Sequence, residues 1–233
     1  MLKKVQQWLF PNICCFCEQY SLENRDLCGV CKPTLPWASD RCYQCGLSLL
    51  GGGQDSIICE KCAQSPPQFD RLAGLFSYEP PITQLVTGLK FGARLAYGRI
   101  LGELLADAVC EQWYQNIGLP QAVIPVPLYK SRLRKRGFNQ AAELLLPLKK
   151  RVKLPVLLDI CERVRPTKPQ SKLDALDRKF NLKNAFQVKN SLGLEHVALV
   201  DDVVTTGSTV NAISQKLKEA GVLQVDVWCI CRA

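Results

Sequence analysis

Four Cys-x-x-Cys pairs crowd the first 62 residues of this 233-residue chain: Cys14 and Cys17, Cys28 and Cys31, Cys42 and Cys45, Cys59 and Cys62. A tight turn of that spacing aims two thiolates at one ion, and two such turns complete a closed tetrahedral zinc site. Ten residues separate the first two pairs and thirteen the last two, lengths suited to short hairpins. The simplest reading is two consecutive structural zinc ions, in ribbons over residues 12–34 and 40–64. An interleaved pairing of first with third also satisfies the spacing. Cys15, adjacent to a ligand, is a spare. A head this small has little apolar core, so metal holds it together, and a four-thiolate site leaves no open position for catalysis. On this reading, chelation unfolds residues 1–64 and spares the rest.

The opening MLKKVQQWLF is a poor export signal, because two glutamines interrupt its apolar part. This favours metal over disulfides. No run of 18 apolar residues occurs, so a membrane span is not expected and the protein is read as cytoplasmic. GGGQDS at 51–56 lies between zinc ligands with no Lys-Ser or Lys-Thr after it, and reads as a hairpin tip.

QSPPQFD, at 64–70, marks a joint between a module of residues 1–66 and a second of 67–233. The pattern then becomes β-α alternation. RLAGLFSY, AVIPVPL, HVALVD and the segment 225–232 read as strands. ITQLVTGLK, YGRILGELLADAVCEQWYQ, NQAAELLLPLKKR and STVNAISQKLKEAG read as helices, with Pro147 expected to limit or kink its own. Such alternation predicts an α/β fold, a mainly parallel sheet flanked by helices. His196, the single histidine, is placed at a strand's entrance rather than in a catalytic pair. Cys110, Cys229 and Cys231 are read as core.

Charge is uneven. Residues 1–62 hold six basic and six acidic side chains, whereas 128–153 hold nine basic against one acidic and 154–189 eight against four. Excess confined to one region implies an anionic partner, a small phosphate ligand or nucleic acid. Arg132, Arg134, Lys135 and Arg136 are the candidate DNA contacts. Phe138, Phe180 and Phe186 lie among the basic residues, and core packing is favoured for them over base stacking.

Asp201 and Asp202 follow the apolar run VALV, and the loop VVTTGST then feeds a helix. In open α/β sheets ligands bind beyond the carboxyl ends of strands, and a helix N-terminus favours phosphate. Two carboxylates beside a phosphate need other partners, which vicinal ribose hydroxyls or a magnesium ion supply. The segment therefore reads as a sugar-phosphate clamp.

ALVDDVVTTGST resembles the phosphoribosyl pyrophosphate signature of type I phosphoribosyltransferases. Together with the cysteine head, IPVPLYKSRLRKRGFNQ and DRKFNLKNAF, the chain resembles the ComF (ComFC, GntX-like) family of competence-associated proteins over nearly its full length. The resemblance implies a double zinc ribbon ahead of a type I phosphoribosyltransferase-like domain. It implies that Asp201 and Asp202 are catalytic and hold ribose hydroxyls with magnesium. Asp201, Asp202, Val203, Val204, Thr205, Thr206, Gly207, Ser208 and Thr209 would bind phosphoribosyl pyrophosphate. Val126, Pro127, Leu128 and Tyr129 correspond to the pyrophosphate loop, followed by Arg134, Arg136, Asn139 and Gln140. Residues 165–184 correspond to a closing loop. The implied role is handling of incoming single-stranded DNA at the inner face of an uptake complex, beside a ComFA-type helicase and a DprA-type recombination mediator. A metabolic phosphoribosyltransferase acting on a nitrogenous acceptor, and a non-enzymatic adaptor of the uptake machinery, are the alternatives.

Overall fold

The computed structural model describes residues 11–23, 25–49, 58–166, 184–189 and 193–233. The glycine tip at 51–56, Phe180 and nearly all of the expected closing loop lie outside the described residues.

Four parallel strands form the main sheet in the order β1-β6-β5-β2. They are β1 (Arg71–Ser77), β2 (Ala122–Pro125), β5 (His196–Val204) and β6 (Gln224–Arg232). A separate antiparallel hairpin pairs β3 (Cys161–Arg163) with β4 (Phe186–Val188). The helices are α1 (Glu60–Gln64), α2 (Ile82–Gly92), α3 (Leu95–Ala108), α4 (Lys130–Arg136), α5 (Gln140–Arg151) and α6 (Ser208–Glu219). The mainly parallel sheet flanked by helices, behind a cysteine-rich head, is the expected fold class.

Both faces of the sheet are covered. Leu85, Val86 and Leu89 of α2, Leu101, Leu104 and Leu105 of α3, and Leu144, Leu145 and Leu148 of α5 pack with Ala198, Val200, Trp228 and Ile230. Val210, Ile213 and Leu217 of α6, with Cys161 and Phe186 of the hairpin, pack with Val197, Leu199, Val225 and Val227. Each of the buried Leu, Ile, Val and Phe side chains among these contributes about 1.5–3 kcal/mol by leaving water. Double coverage explains why β6 is buried from Val225 to Arg232 and does not alternate with solvent.

The helix expected around Pro147 is present and the proline does not end it, and two other expectations need correction. α5 continues through Pro147 to Arg151. At that level a Cβ on Gly102 of α3 would stand 2.5 Å from the Leu144 carbonyl and 3.0 Å from the Pro147 ring, so glycine lets the two helices close around the proline. The long helix of the 97–115 segment ends at Ala108 and passes into a π-turn, Val109–Trp113, where Cys110 is only half-buried. Strand β5 runs past the acids to Val204.

The cysteine head is built onto the sheet rather than beside it. Cys14, Leu27, Cys28 and Leu35 are buried in the same apolar cluster as α3 and Trp228. Trp37 bridges antiparallel to Phe76 on the edge strand β1, with Ala38 N donating to Leu75 O at 2.8 Å and Ser77 N to Pro36 O at 2.9 Å. Covering an open edge in this way removes a template for aggregation. Among the described residues no helix is long and apolar enough to cross a membrane.

Candidate functional site

The cysteines gather as two consecutive clusters, Cys14, Cys17, Cys28 and Cys31, then Cys42, Cys45, Cys59 and Cys62, each with its four sulfurs within 4.8 Å of one another. A tetrahedron with zinc-sulfur bonds of about 2.3 Å has sulfur-sulfur edges of roughly 3.8 Å. Cys17 and Cys28, and likewise Cys45 and Cys59, stand 3.7 Å apart, so both clusters fit zinc. Backbone amides prepare the thiolates. Burial raises the Cys14 pKa, but N–H groups of Cys28, Cys17 and Phe16 overcome it and bring the thiol down to about 6. Burial is likewise overcome at Cys42, where amides of Cys59, Cys45 and Gln44 bring the thiol to about 7. Cys15 stands outside the cluster, its thiol pushed up to about 12 by burial and by the charge of Cys14.

The acid pair lies inside β5, whose register with β6 is constant from His196 to Val204. Ala198 and Val200 pack on the α3 side and Val197 and Leu199 on the α6 side, and the two acids continue that alternation. The amides that follow donate to the carboxylates: Asp202 N to Asp201 Oδ1 and Val203 N to Asp202 Oδ1, each at 2.9 Å. Asp202 is buried and takes Lys90 Nζ of α2 at 2.9 Å from its Oδ2. Asp201 opens instead onto a cavity of ≈ 30 Å³ lined also by Val203, Val204, Thr205, Gly207, Ser208 and Thr209. The two carboxylates therefore have different surroundings although they are neighbours in sequence.

Beyond them, Gly207 takes φ +76° and precedes α6. The Thr206 and Ser208 hydroxyls lie 2.8 Å apart, and Ser208 N donates to Thr206 Oγ1 at 3.3 Å. The segment Val126 to Tyr129 lies beside β5, since Val126 N donates to Val200 O at 2.8 Å. Asn139 locks it in place, donating Nδ2 to Val126 O at 3.1 Å while its Oδ1 caps α5 at Ala141 N. The four candidate DNA contacts separate. Arg132, Arg134 and Lys135 are exposed on α4, whereas half-buried Arg136 donates to Gln140 and lies 5.8 Å over the Phe91 ring. Burial lowers the pKa of Arg136, and the charges of Asp202 and Asp201 raise it. Phe186 is buried and Phe138 packs against the core, as favoured from the sequence. His196 begins β5 and meets buried Asp226 at 3.1 Å.

Three cations at this site are not singled out by sequence: Lys90, Arg163 and Arg232. Lys90 directly follows Leu89 of the buried stripe Ile82, Leu85, Val86, Leu89, and a lysine flanking an apolar face is a usable signal. Arg163 sits on β3, where Asp201 acts on it electrostatically. It carries no local motif, because the hairpin arrives from a distant part of the chain.

Burial, and then the charge of Asp202, push the Asp201 carboxyl well above its ordinary range. A raised folded-state pKa favours the neutral form: stability is full below the unfolded pKa of about 3.9 and is lost as pH rises through the folded value. Asp201→Asn is therefore expected to raise the melting temperature of the ligand-free protein at pH 8, with the gain vanishing toward pH 4. Thermal melts across that range check it.

Fold and site together define a class of protein: a double zinc ribbon built onto a parallel α/β sheet whose carboxyl rim carries an acid pair and a hydroxyl loop. The family model of the double zinc ribbon domain matches residues 5–65. DNA utilization protein YhgH of Salmonella typhi is 38% identical over 224 residues, covering 95% of this chain and 97% of that protein. Competence protein F of Haemophilus influenzae is 38% identical over 211 residues, covering 89% and 90%. The chain belongs to this ComF family. Among solved structures, a hypoxanthine phosphoribosyltransferase from Staphylococcus aureus aligns at a TM-score of 0.32 and 14% identity, over 58% of this chain and 72% of that one.

Proposed function

We propose that this chain is a competence and DNA-utilization protein that handles single-stranded DNA and carries a site for phosphoribosyl pyrophosphate with magnesium. The names of its relatives support the first half. The second half rests on one observation: Asp201 and the loop Thr205 to Thr209 line a single cavity at the carboxyl rim of a parallel sheet, at the start of α6. There the loop hydroxyls and amides of the α6 N-terminus take the 5′-phosphate, and Asp201 accepts from ribose hydroxyls. Lys90 pairs with Asp202, so Asp201 is the carboxyl left facing the cavity, where a bound metal would take the place of its proton. Asp201 would hold magnesium, which when bound would supply charge neutralisation for a departing pyrophosphate. Val126 to Tyr129 and Arg136 border the side on which that pyrophosphate would lie.

The DNA surface in this reading is α4, with Arg132, Arg134 and Lys135 exposed, together with Phe91, which is 78% exposed at the end of α2. An exposed ring beside arginines suits a stacked base. Phosphoribosyl pyrophosphate with magnesium is expected to raise the melting temperature of wild type by several degrees, and not that of Asp201→Asn with Asp202→Asn. An unshifted wild type would remove the ligand half of the proposal. Pyrophosphate release in the same samples separates a working transferase from a retained binding site.

A further inference from the structure

The second ribbon is wired to the hydroxyl loop through one buried side chain. Arg232 ends β6, and its Nε donates to Cys45 O, inside the second cysteine cluster, at 2.8 Å. Its Nη1 donates to Val204 O at 3.1 Å and also to Thr205 O. Ala233 N adds a second bond to Val204 O at 3.0 Å. On the ribbon side Arg41 completes the frame: its Nη1 reaches Gly46 O at 3.1 Å and Arg232 O at 3.4 Å, and its Nη2 reaches Ser77 Oγ at 2.7 Å. Leu72 N donates to Tyr43 O at 3.3 Å, so the same knuckle also grips β1.

Val204 and Thr205 are where the sheet stops and the loop begins. The Val204 carbonyl takes the last backbone bond of the ladder, from Ala233 N, and the Thr205 carbonyl lies one residue further on. A rigid donor fork spanning ribbon and loop fixes the direction in which Thr206 to Thr209 leave the strand. A zinc ion on Cys42, Cys45, Cys59 and Cys62 would hold the Cys45 carbonyl in place, because the knuckle around it is too small to be rigid unaided. Among the described residues, the ion pairs that tie the first ribbon to the sheet domain, Arg25 and Lys32 with Asp107 and Asp26 with Arg99, reach α3 instead.

We infer that Arg232 is a positioning residue through which the zinc-loaded second ribbon sets the anion-binding conformation of the Thr205–Thr209 loop. The two ribbons then differ in purpose, the first joining the head to α3 and the second shaping the site. The identity of the anion rests on the function proposed above; the mechanical link does not.

The test uses the full zinc-loaded chain with ribose 5-phosphate as probe, affinity by calorimetry and the amide resonances of Gly207, Ser208 and Thr209 as readouts. Arg232→Lys keeps a cation, but one ammonium cannot span both Cys45 O and Val204 O. It is expected to weaken the probe about tenfold, the loss typical of one charge-assisted hydrogen bond, and to shift or broaden the three resonances. Two zinc ions per chain and a nearly unchanged melting temperature set this apart from unfolding. Cys62→Ser, far from the loop in sequence, is expected to lose one zinc and, measured below its melting temperature with the amide resonances of Val197 to Val200 unmoved, to give the same loop signature. Asp107→Asn, which cuts the first ribbon's anchor, should leave probe affinity and loop resonances within about twofold. Unmoved resonances in Arg232→Lys overturn the inference, as does an equal effect from Asp107→Asn. Should Arg232→Lys not fold, Cys62→Ser decides by the same resonances. A wild type that binds no probe sinks the proposed ligand, and the resonances still decide the link.

Discussion

Stripping zinc is expected to bring down the sheet domain with the ribbons, in one transition. Sequence alone places the metal in a head that unfolds by itself, but the structure shares its interior between head and sheet. Leu27 and Leu35 are buried with Leu101, Leu105 and Trp228, so a molten ribbon uncovers the α3 side of the core. It also frees the edge of β1, where Trp37 stacks against Phe76 with ring centroids 4.6 Å apart. It leaves Asp107, whose side chain is 9% exposed, with Arg151 but without Arg25 and Lys32. Structural zinc contributes about 10–16 kcal/mol of apparent binding energy in small zinc-finger peptides, comparable with the whole stability of a typical domain at about 5–15 kcal/mol. Losing even about 5 kcal/mol at the shared interface lowers the melting temperature of a domain this size by roughly 10–20 °C. Calorimetry with and without chelator, with zinc content measured in parallel, gives the answer. A sheet transition left at its original temperature would mean that the interface carries little of the stability.

The legibility of the chain follows the range of the forces involved. Cys-x-x-Cys turns, the β-α period and the loop at 205–209 are local, because a few consecutive residues fix their geometry, and all three are readable. The sequential grouping of cysteines is decided by which hairpins pack together, so the spacing leaves it open. The close approach of α3 to α5 at Pro147 depends on Gly102, 45 positions away, and no window around the proline contains that information. The same holds within the site. Asp201 and Asp202 read as one acidic unit, yet the alternation of a strand sends one to the cavity and the other to Lys90. Arg232 is the extreme case. It reads as the last polar residue of a buried strand, and its meaning comes entirely from a carbonyl 187 residues earlier in the chain.

Neutralising Arg132, Arg134 and Lys135 is expected to change how DNA binding responds to salt, not merely its strength. Single-stranded nucleic acid releases counterions as phosphates are neutralised, and the logarithm of affinity falls with that of salt by about 0.7 per contact. Removing three exposed cations should flatten the slope by roughly 2, measured with an oligonucleotide across salt concentrations. Phe91→Ala should do something different. A stacked ring contributes about 1–3 kcal/mol per base and releases no counterion, so affinity falls about tenfold or more at an unchanged slope. Arg136 divides the two regions, because it covers the Phe91 ring on one side and lies in the field of Asp202 and Asp201 on the other. Arg136→Gln is therefore the variant that should disturb both DNA affinity and the ligand-dependent melting shift, while the exposed triple variant leaves that shift intact. Equal effects of all these substitutions on the slope would show that α4 acts only as a diffuse cationic surface, with no place for a stacked base beside the acid pair.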